Sequence, residues 1–185
     1  MATAITLEPA PVPGSFLAEE PLYEIVNGQQ VELPPMSIYA VCIASCIHGY
    51  LFIYAQANRT GRAVTEGLFI LDPQRNLRRR PDVAFVLAAK WPLDRPIPPS
   101  GDWELVPDLA VEVVSPNDLF EDVFAKLEEY FQVGVRLVWI VVPMRRQVQV
   151  YDSPTAVRIL KEGDELDGGT LLPGFRLSVA TIFQR

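Results

Sequence analysis

The stretch DLAVEVVSPNDLFEDVFAKLEEYFQVGVRLVWIVVP, residues 108–143, predicts the centre of the fold. Its first part, 109–114, and its last part, 136–142, are short apolar runs typical of buried strands. Between them, residues 118–133 repeat apolar side chains at the spacing of an amphipathic helix, and Gly134 is a suitable residue to end it. A strand, a helix and a second strand in this order predict two parallel strands joined by a right-handed crossover.

The sequence before this unit predicts further strands and one long helix. Residues 23–33, YEIVNGQQVEL, contain the Asn-Gly turn of a β-hairpin. The apolar run at 36–55 is interpreted as a helix, and strands are expected at 64–71 and 82–88 with no helix between them. These two strands and the strand at 109–114 should form an antiparallel meander. The sequence therefore predicts a three-layer α/β sandwich around a mixed sheet, with one antiparallel meander and one βαβ crossover.

Composition limits the class of protein. A chain of 185 residues with 49% apolar residues predicts one domain over 21–185, preceded by a flexible arm over 1–20 that is rich in proline. The net charge of −7 argues against a strong, non-specific DNA binder. With two cysteines and one histidine, neither a zinc cluster nor a disulfide is expected, and a cytoplasmic location fits.

The apolar run at 36–55 has two interpretations. It is long enough to cross a membrane, but Ser37, Ser45, His48 and Gly49 interrupt it and no basic flank marks a cytoplasmic side, so a buried helix without membrane contact is favoured. A helix that is apolar all round must be covered on all sides, either by the sheet and other elements of the chain or by a second subunit over one face, and we therefore expect a homodimer. Cys42 and Cys46 would be small buried residues of this helix.

Two acidic residues interrupt the predicted strands. Side chains alternate across a strand, so Asp82 shares its face with Ala84, and Glu112 shares its face with Ala110. If the two strands are neighbours, the acids converge at one end of the sheet, where the alanines leave room for water or an ion. Asp82 taken alone would fit an exposed strand start, but burying Glu112 in mid-strand without a partner would cost several kcal/mol.

Two neighbouring carboxylates predict a cation between them. They repel each other unless one takes up a proton or a cation lies nearby. Mg²⁺, or Mn²⁺, takes one or two protein carboxylates and keeps most of its water ligands. Such an ion activates water and neutralises charge on a phosphate during hydrolysis.

Three segments together resemble a known family. The sequences RRPDVAFV, PDLAVEVVSP and DVFAKLEEYFQVGVRLVWIVVP are similar to the Uma-two family of restriction endonucleases, and the resemblance extends from residue 23 almost to the C-terminus. It implies a restriction endonuclease-like fold and a metal-dependent enzyme that hydrolyses DNA phosphodiester bonds, with Asp82 and Glu112 as metal ligands. The lysine that such nucleases place two residues after the second acid is absent here, because that position is Val114.

The resemblance implies that Lys126, on the following helix, replaces that lysine as the third catalytic residue. The alternative is an exposed ion pair between Lys126 and Asp122. Glu24 matches an acid that the family often carries in its first hairpin and is a further candidate metal ligand, although an exposed hairpin acid is the simpler interpretation.

Arginines precede the first acid. Arg78, Arg79 and Arg80 are candidate contacts for a nucleic-acid backbone, and solvated loop arginines are the alternative. Alternation prevents all of them from facing the same ligand. Two other functions remain open at this point: a catalytically silent nuclease-fold module that only binds a partner, and a hydrolase of another phosphate ester.

Overall fold

The structure is a computed structural model that describes residues 21–99, 101–115 and 118–184, so the predicted arm at 1–20 lies outside the described residues. The described part of the chain forms twelve strands and three α-helices. The first half contains β1 (Tyr23–Val26), β2 (Gln29–Glu32), α1 (Ile38–Asn58), β3 (Gly61–Thr65), β4 (Phe69–Asp72), β5 (Leu77–Arg79) and β6 (Val83–Leu87). The second half contains β7 (Leu109–Val113), α2 (Phe120–Val133), β8 (Leu137–Val142), β9 (Gln147–Ser153), β10 (Ala156–Lys161), β11 (Glu165–Gly168), β12 (Leu172–Ser178) and α3 (Val179–Ile182).

A mixed six-stranded sheet in the order β10-β9-β8-β7-β6-β3 forms the centre of the fold. The neighbours β3, β6 and β7 are antiparallel, whereas β7 and β8 are parallel and α2 connects them. The predicted meander and βαβ crossover are therefore confirmed. A four-stranded sheet in the order β2-β1-β5-β4 and the β11–β12 hairpin complete the strands of the described region.

Apolar side chains cover both faces of the six-stranded sheet. On one face α1, β12 and α3 pack over residues that include Phe85 and Val111. On the opposite face α2 and the four-stranded sheet pack over the alternate residues, which include Ala84 and Ala110. The sheet thus lies between two layers, as the predicted three-layer sandwich requires.

One predicted strand is wrong in its extent. The strand expected over 64–71 is two strands, because the chain leaves the six-stranded sheet after Thr65 and continues as β4 in the four-stranded sheet. Glu66 makes the turn with a φ of 51°, a left-handed conformation that the hydrophobic pattern does not indicate. Arg79 also lies in the four-stranded sheet, as the last residue of β5, whereas β6 of the six-stranded sheet begins at Val83.

Helix α1 has one buried and one exposed side, and both are apolar. Its buried residues pack against the sheet: Ala40, Ile43, Ala44, Ile47, Leu51 and Ala55. On the other side Ile38 is 78% exposed and Ile53 is 66% exposed. Cys42 is also exposed, so the prediction that both cysteines are buried is wrong for this residue, which lies on the uncovered side of the helix.

The length and composition of α1 would allow it to cross a membrane, and it is the only helix of the described region with that property. A helix in the core of a water-soluble domain can have the same length and composition as a membrane span. The buried side of α1 contacts the central sheet. Coverage of the exposed side by a second subunit stays a prediction.

Candidate active site

Asp82 and Glu112 lie opposite each other on neighbouring strands. Val83 pairs with Val111 and Ala84 pairs with Ala110, so the next step of this antiparallel ladder brings Asp82 opposite Glu112. Both acids line one cavity. The backbone N–H of Val113 donates a hydrogen bond of 2.6 Å to Asp82 Oδ2 and orients this carboxylate. The two acids therefore converge at the end of the sheet where the alternation of the strands predicted them.

Lys126 points into this site from α2. Its Nζ lies 3.2 Å from Glu112 Oε2 and 3.0 Å from Glu24 Oε1. The alternative of an exposed pair with Asp122 is wrong, because the lysine side chain is only 18% exposed and its ammonium lies between the two glutamates. We call Asp82, Glu112 and Lys126 the acid–lysine cluster.

Glu24 is buried, although an exposed hairpin acid was the simpler interpretation of the sequence. Besides contacting Lys126, its Oε1 accepts a hydrogen bond of 2.9 Å from the backbone N–H of Arg80. Its Oε2 accepts a hydrogen bond of 2.8 Å from Arg79 Nη1. Because Glu24 does not line the cavity that contains both Asp82 and Glu112, it fits the role of an anchor for Lys126 better than that of a third metal ligand.

Arg79 is a structural residue and is not exposed to a nucleic acid. It is 6% exposed, and besides Glu24 it donates from Nε to Glu129 Oε2 of α2 at 2.7 Å. The prediction that Arg79 contacts a nucleic acid is therefore corrected, because the alternation of β5 turns Arg79 inward and its neighbours outward. This arginine ties the hairpin, β5 and α2 together.

The neighbouring arginines differ from each other. Arg78 forms an ion pair with Asp102 and is partly exposed. Arg80 donates to the carbonyl oxygens of Tyr23 and Glu66 and lines the same cavity as Asp82. Among the predicted nucleic-acid contacts, Arg80 is therefore the one that faces the candidate site.

Tyr130 is a site residue that the sequence interpretation missed. Its hydroxyl donates a hydrogen bond of 2.6 Å to Glu112 Oε1, and the residue is fully buried. In the sequence it counted only as one member of the apolar stripe. A buried tyrosine needs a partner for its hydroxyl, and the spacing of four residues from Lys126 places both on one side of the helix. A tyrosine in the apolar stripe, on the same side of the helix as Lys126, was therefore the feature of the sequence from which Tyr130 could have been predicted as a site residue.

Burial determines the protonation of the two acids. Burial and the nearby Glu112 raise the pKa of Asp82 to about 7, against the hydrogen bond from Val113. Burial also raises the pKa of Glu112, and the opposing effect of Lys126 is smaller. The charge of this pair is thus only partly compensated by protein groups.

Lys126 and Glu24, which contact each other beside the two acids, are both charged. Burial acts to lower the pKa of Lys126, but the carboxylates of Glu112 and Glu24 outweigh it and raise that pKa above its ordinary value. Burial acts to raise the pKa of Glu24, but Lys126 and Arg79 outweigh it and lower that pKa. Lys126 is therefore a cation at neutral pH and Glu24 an anion.

The donor set fits a hard divalent cation. Among the described residues, no group of three or more His, Cys, Asp or Glu side chains is arranged as a metal site. Asp82 and Glu112 supply two carboxylates, a number sufficient for Mg²⁺ because that ion keeps several waters. A cation between the two acids would offset the burial and the repulsion from Glu112 that raise the pKa of Asp82.

Two cavities meet at the acid–lysine cluster. The arginine cavity, of about 270 Å³, is lined on its own side by residues that include Ser37, Glu66 and Arg80. The hairpin cavity, of about 590 Å³, lies between β1–β2 and α2. Six residues line both cavities: Leu33, Pro34, Glu112, Val113, Asp118 and Lys126. A ligand that extends from one cavity into the other would pass over the cluster.

The central mixed sheet and its acid–lysine cluster define a nuclease-like α/β protein. A sequence model of the Uma2 family, described as "Putative restriction endonuclease", matches residues 12–180. The chain therefore belongs to the Uma2 family, which confirms the resemblance found in the sequence.

A solved structure has the same fold. The crystal structure of a protein described as "a putative nuclease belonging to DUF820", from Anabaena variabilis ATCC 29413, superimposes with a TM-score of 0.77 at 18% identity. The similarity covers 89% of this chain and 90% of that chain. A comparison with curated proteins found no match.

Proposed function

We propose that this protein is a divalent-metal-dependent endonuclease that hydrolyses DNA phosphodiester bonds at the acid–lysine cluster. The observation that supports this proposal most strongly is the convergence of two largely buried carboxylates and one largely buried ammonium in a cavity open to a ligand. Membership of the Uma2 family supports the nuclease class. The metal and the DNA substrate are part of the proposal.

Asp82 and Glu112 would hold Mg²⁺ or Mn²⁺. Such an ion, when bound, lowers the pKa of a coordinated water and neutralises charge that develops on the phosphate. Tyr130 fixes one oxygen of Glu112, and the Val113 N–H fixes one oxygen of Asp82, so the two carboxylates are preorganised by neutral donors.

Lys126 would act as a hydrogen-bond donor and not as a general base. Its raised pKa keeps the ammonium protonated at neutral pH. From its position beside Glu112 it can donate to the attacking water or to a phosphate oxygen, and so stabilise negative charge in the transition state. Glu24 holds the ammonium in this position.

Plasmid nicking in Mg²⁺ or Mn²⁺ tests the proposal. The Asp82→Asn and Glu112→Gln substitutions should each reduce the nicking rate by at least about 100-fold, the size of loss usual for a preorganised electrostatic group. Glu128→Gln is the matched control, because it removes an equal charge from an exposed position of α2. Nicking that survives both site substitutions would refute the site.

Calorimetric titration with Mn²⁺ distinguishes the enzyme from a silent nuclease-fold module. The enzyme should bind Mn²⁺ in a manner that depends on Asp82 and Glu112. Because a proton and the metal compete for Asp82, the affinity should increase as the pH rises through about 7. A silent module would give no binding that depends on these acids.

The Arg80→Met variant distinguishes DNA from a small phosphate ester. Arg80 faces the cavity beside the cluster, where it can contact a second phosphate of a polynucleotide. Its replacement should slow DNA cleavage and leave the hydrolysis of bis(4-nitrophenyl) phosphate unchanged. Equal losses for both substrates would favour the hydrolase of another phosphate ester.

A further inference from the structure

The hairpin cavity has apolar walls that face each other across a ligand-sized space. Val26 and Val31 of the β1–β2 hairpin form one wall, and Leu119 and Val123 of α2 belong to the other. Val31 is 45% exposed and Leu119 is 66% exposed. Its volume of about 590 Å³ lies within the range of small-molecule sites. Exposed apolar side chains on both sides of such a cavity are typical of a ligand surface.

The two cavities differ in how their arginines are paired, although carboxylates outnumber cations in the lining of both. In the hairpin cavity Arg79 is paired with Glu24 and Glu129, and the exposed Glu32 and Asp122 add carboxylates that only accept hydrogen bonds. In the arginine cavity, the guanidinium of Arg80 contacts carbonyl oxygens, which leave its positive charge in place. A phosphate therefore fits the arginine cavity, whereas a neutral, flat ligand with N–H donors fits the hairpin cavity.

A nucleobase has these properties. Its faces are apolar, and the amino groups of adenine, cytosine and guanine are hydrogen-bond donors. We propose that the hairpin cavity binds one unpaired nucleobase while the scissile phosphate lies over the acid–lysine cluster and a neighbouring phosphate contacts Arg80. This inference rests on the proposed nuclease function and specifies its substrate class: single-stranded DNA, or a duplex with unpaired nucleotides at the cleavage position.

We expect only an unpaired base to occupy this cavity. In a duplex each base is stacked and directed at its partner, and it reaches a protein pocket only when it is unpaired or flipped out. Glu112 and Lys126, with side chains that are 13% and 18% exposed, form the passage between the two cavities. Because the carboxylates of the hairpin cavity only accept hydrogen bonds, a base with an amino group is preferred over thymine.

Cleavage of one labelled sequence in three forms tests the inference: a single strand, a fully paired duplex, and a duplex with an internal bulge. In Mn²⁺ the single strand and the bulged duplex should be cleaved at least about tenfold faster than the paired duplex, because unpairing a base costs a few kcal/mol. Val31→Gln, which replaces part of the apolar wall with a polar side chain, should reduce kcat/KM for the single strand by about tenfold through the lost apolar contact. Val157→Gln is the matched control, since Val157 is also 45% exposed but lies on β10.

Binding gives a readout that does not depend on cleavage. Fluorescence anisotropy of the labelled single strand is measured in Mn²⁺ with the Asp82→Asn protein, alone and combined with Val31→Gln or Val157→Gln. The first combination should weaken binding about tenfold through the lost apolar contact, and the second should leave it unchanged. The exchange of adenine for thymine at the cleavage position should weaken binding as well.

The outcomes separate the two proposals. Equal cleavage of single strand and paired duplex, or equal behaviour of Val31→Gln and Val157→Gln, would overturn the base site and leave the nuclease proposal intact. A protein that cleaves no DNA but binds single strands in a manner that depends on Val31 would overturn the nuclease proposal and support the base site. A protein that neither cleaves nor binds DNA would overturn both.

Discussion

The two faces of the six-stranded sheet are built with different chemistry. The face under α1 is packed by apolar side chains, and none of the 21 residues of α1 is Asp, Glu, Lys or Arg. The face under α2 includes the buried or nearly buried chain of contacts Glu129–Arg79–Glu24–Lys126–Glu112–Tyr130. One sheet thus separates an apolar layer from a layer that contains charged groups.

This difference indicates which layer serves stability and which serves the site. Burying charges has a desolvation cost that their pairing repays only with good geometry, and well-packed apolar side chains in their place are often as stable or more so. The charged layer is therefore best explained by its effect on Lys126 and Glu112, which it holds in fixed positions. Four measurements test this division, in order of expected size.

The largest loss of stability is expected for Arg79→Met. The change leaves Glu24 and Glu129 buried without their cation, and breaking a buried pair in this way costs about 3–5 kcal/mol. Urea denaturation measures the free energy of unfolding. The control is Arg176→Met, which removes an exposed pair with Glu165 and should cost at most about 1 kcal/mol. Equal losses for the two variants would show that the buried network does not contribute to stability.

On the apolar face, Leu51→Ala should destabilise the protein without changing the site. Leu51 is fully buried, and the cavity left by such a truncation costs about 3 kcal/mol. The affinity of the folded protein for Mn²⁺ should not change, because α1 contributes neither acid. Met144→Ala, at a position that is 80% exposed and lies outside α1, should stay within about 0.5 kcal/mol of the unmodified protein. A change in Mn²⁺ affinity for Leu51→Ala would contradict the separation of the two layers.

A smaller effect is expected for Tyr130→Phe. It removes a hydrogen bond to a charged acceptor and should reduce the free energy of unfolding by about 1.5 kcal/mol. It should also weaken Mn²⁺ binding, because Glu112 loses its fixed orientation. Tyr151→Phe removes a hydrogen bond to the neutral Gln149 and serves as the control. Unchanged Mn²⁺ affinity in Tyr130→Phe would show that the hydroxyl does not orient the acid.

Asp82 should give the metal-free protein a pH dependence whose effect within any one pH unit is the smallest of the four. In the folded protein burial raises the pKa of Asp82 to about 7, above its usual value of 3.8, so between these values the folded protein retains a proton that the unfolded chain has lost. Stability should therefore fall as the pH rises across this window, by at most about 1.4 kcal/mol per pH unit, and stay level above it. The difference between the unmodified protein and Asp82→Asn in EDTA isolates this contribution. A difference that is constant from pH 4 to pH 7 would contradict it.

Much of the site could be predicted because it follows from local periodicity. Strand alternation placed Asp82 and Glu112 on one face, and the short crossover placed α2 beside them. The role of Arg79 could not be predicted, because whether a strand residue is buried depends on which sheet the strand joins. The same cause explains the strand expected over 64–71, since its residues are apolar in both sheets. Tyr130 was missed because an apolar stripe does not show that a hydroxyl has an acceptor.

The sequence by itself determined the sheet order around the crossover, the positions of α1 and α2 and the convergence of the two acids, because these depend on periods of 2 and 3.6 residues within short segments. Only the tertiary structure decided that the β1–β2 hairpin joins β5 and brings Glu24 and Arg79 next to α2. Contacts between elements distant in the sequence depend on how the layers pack, and no local pattern encodes them. For this reason the two acids could be identified from the sequence, whereas the charged network that holds Lys126 and the cavity beside it could not.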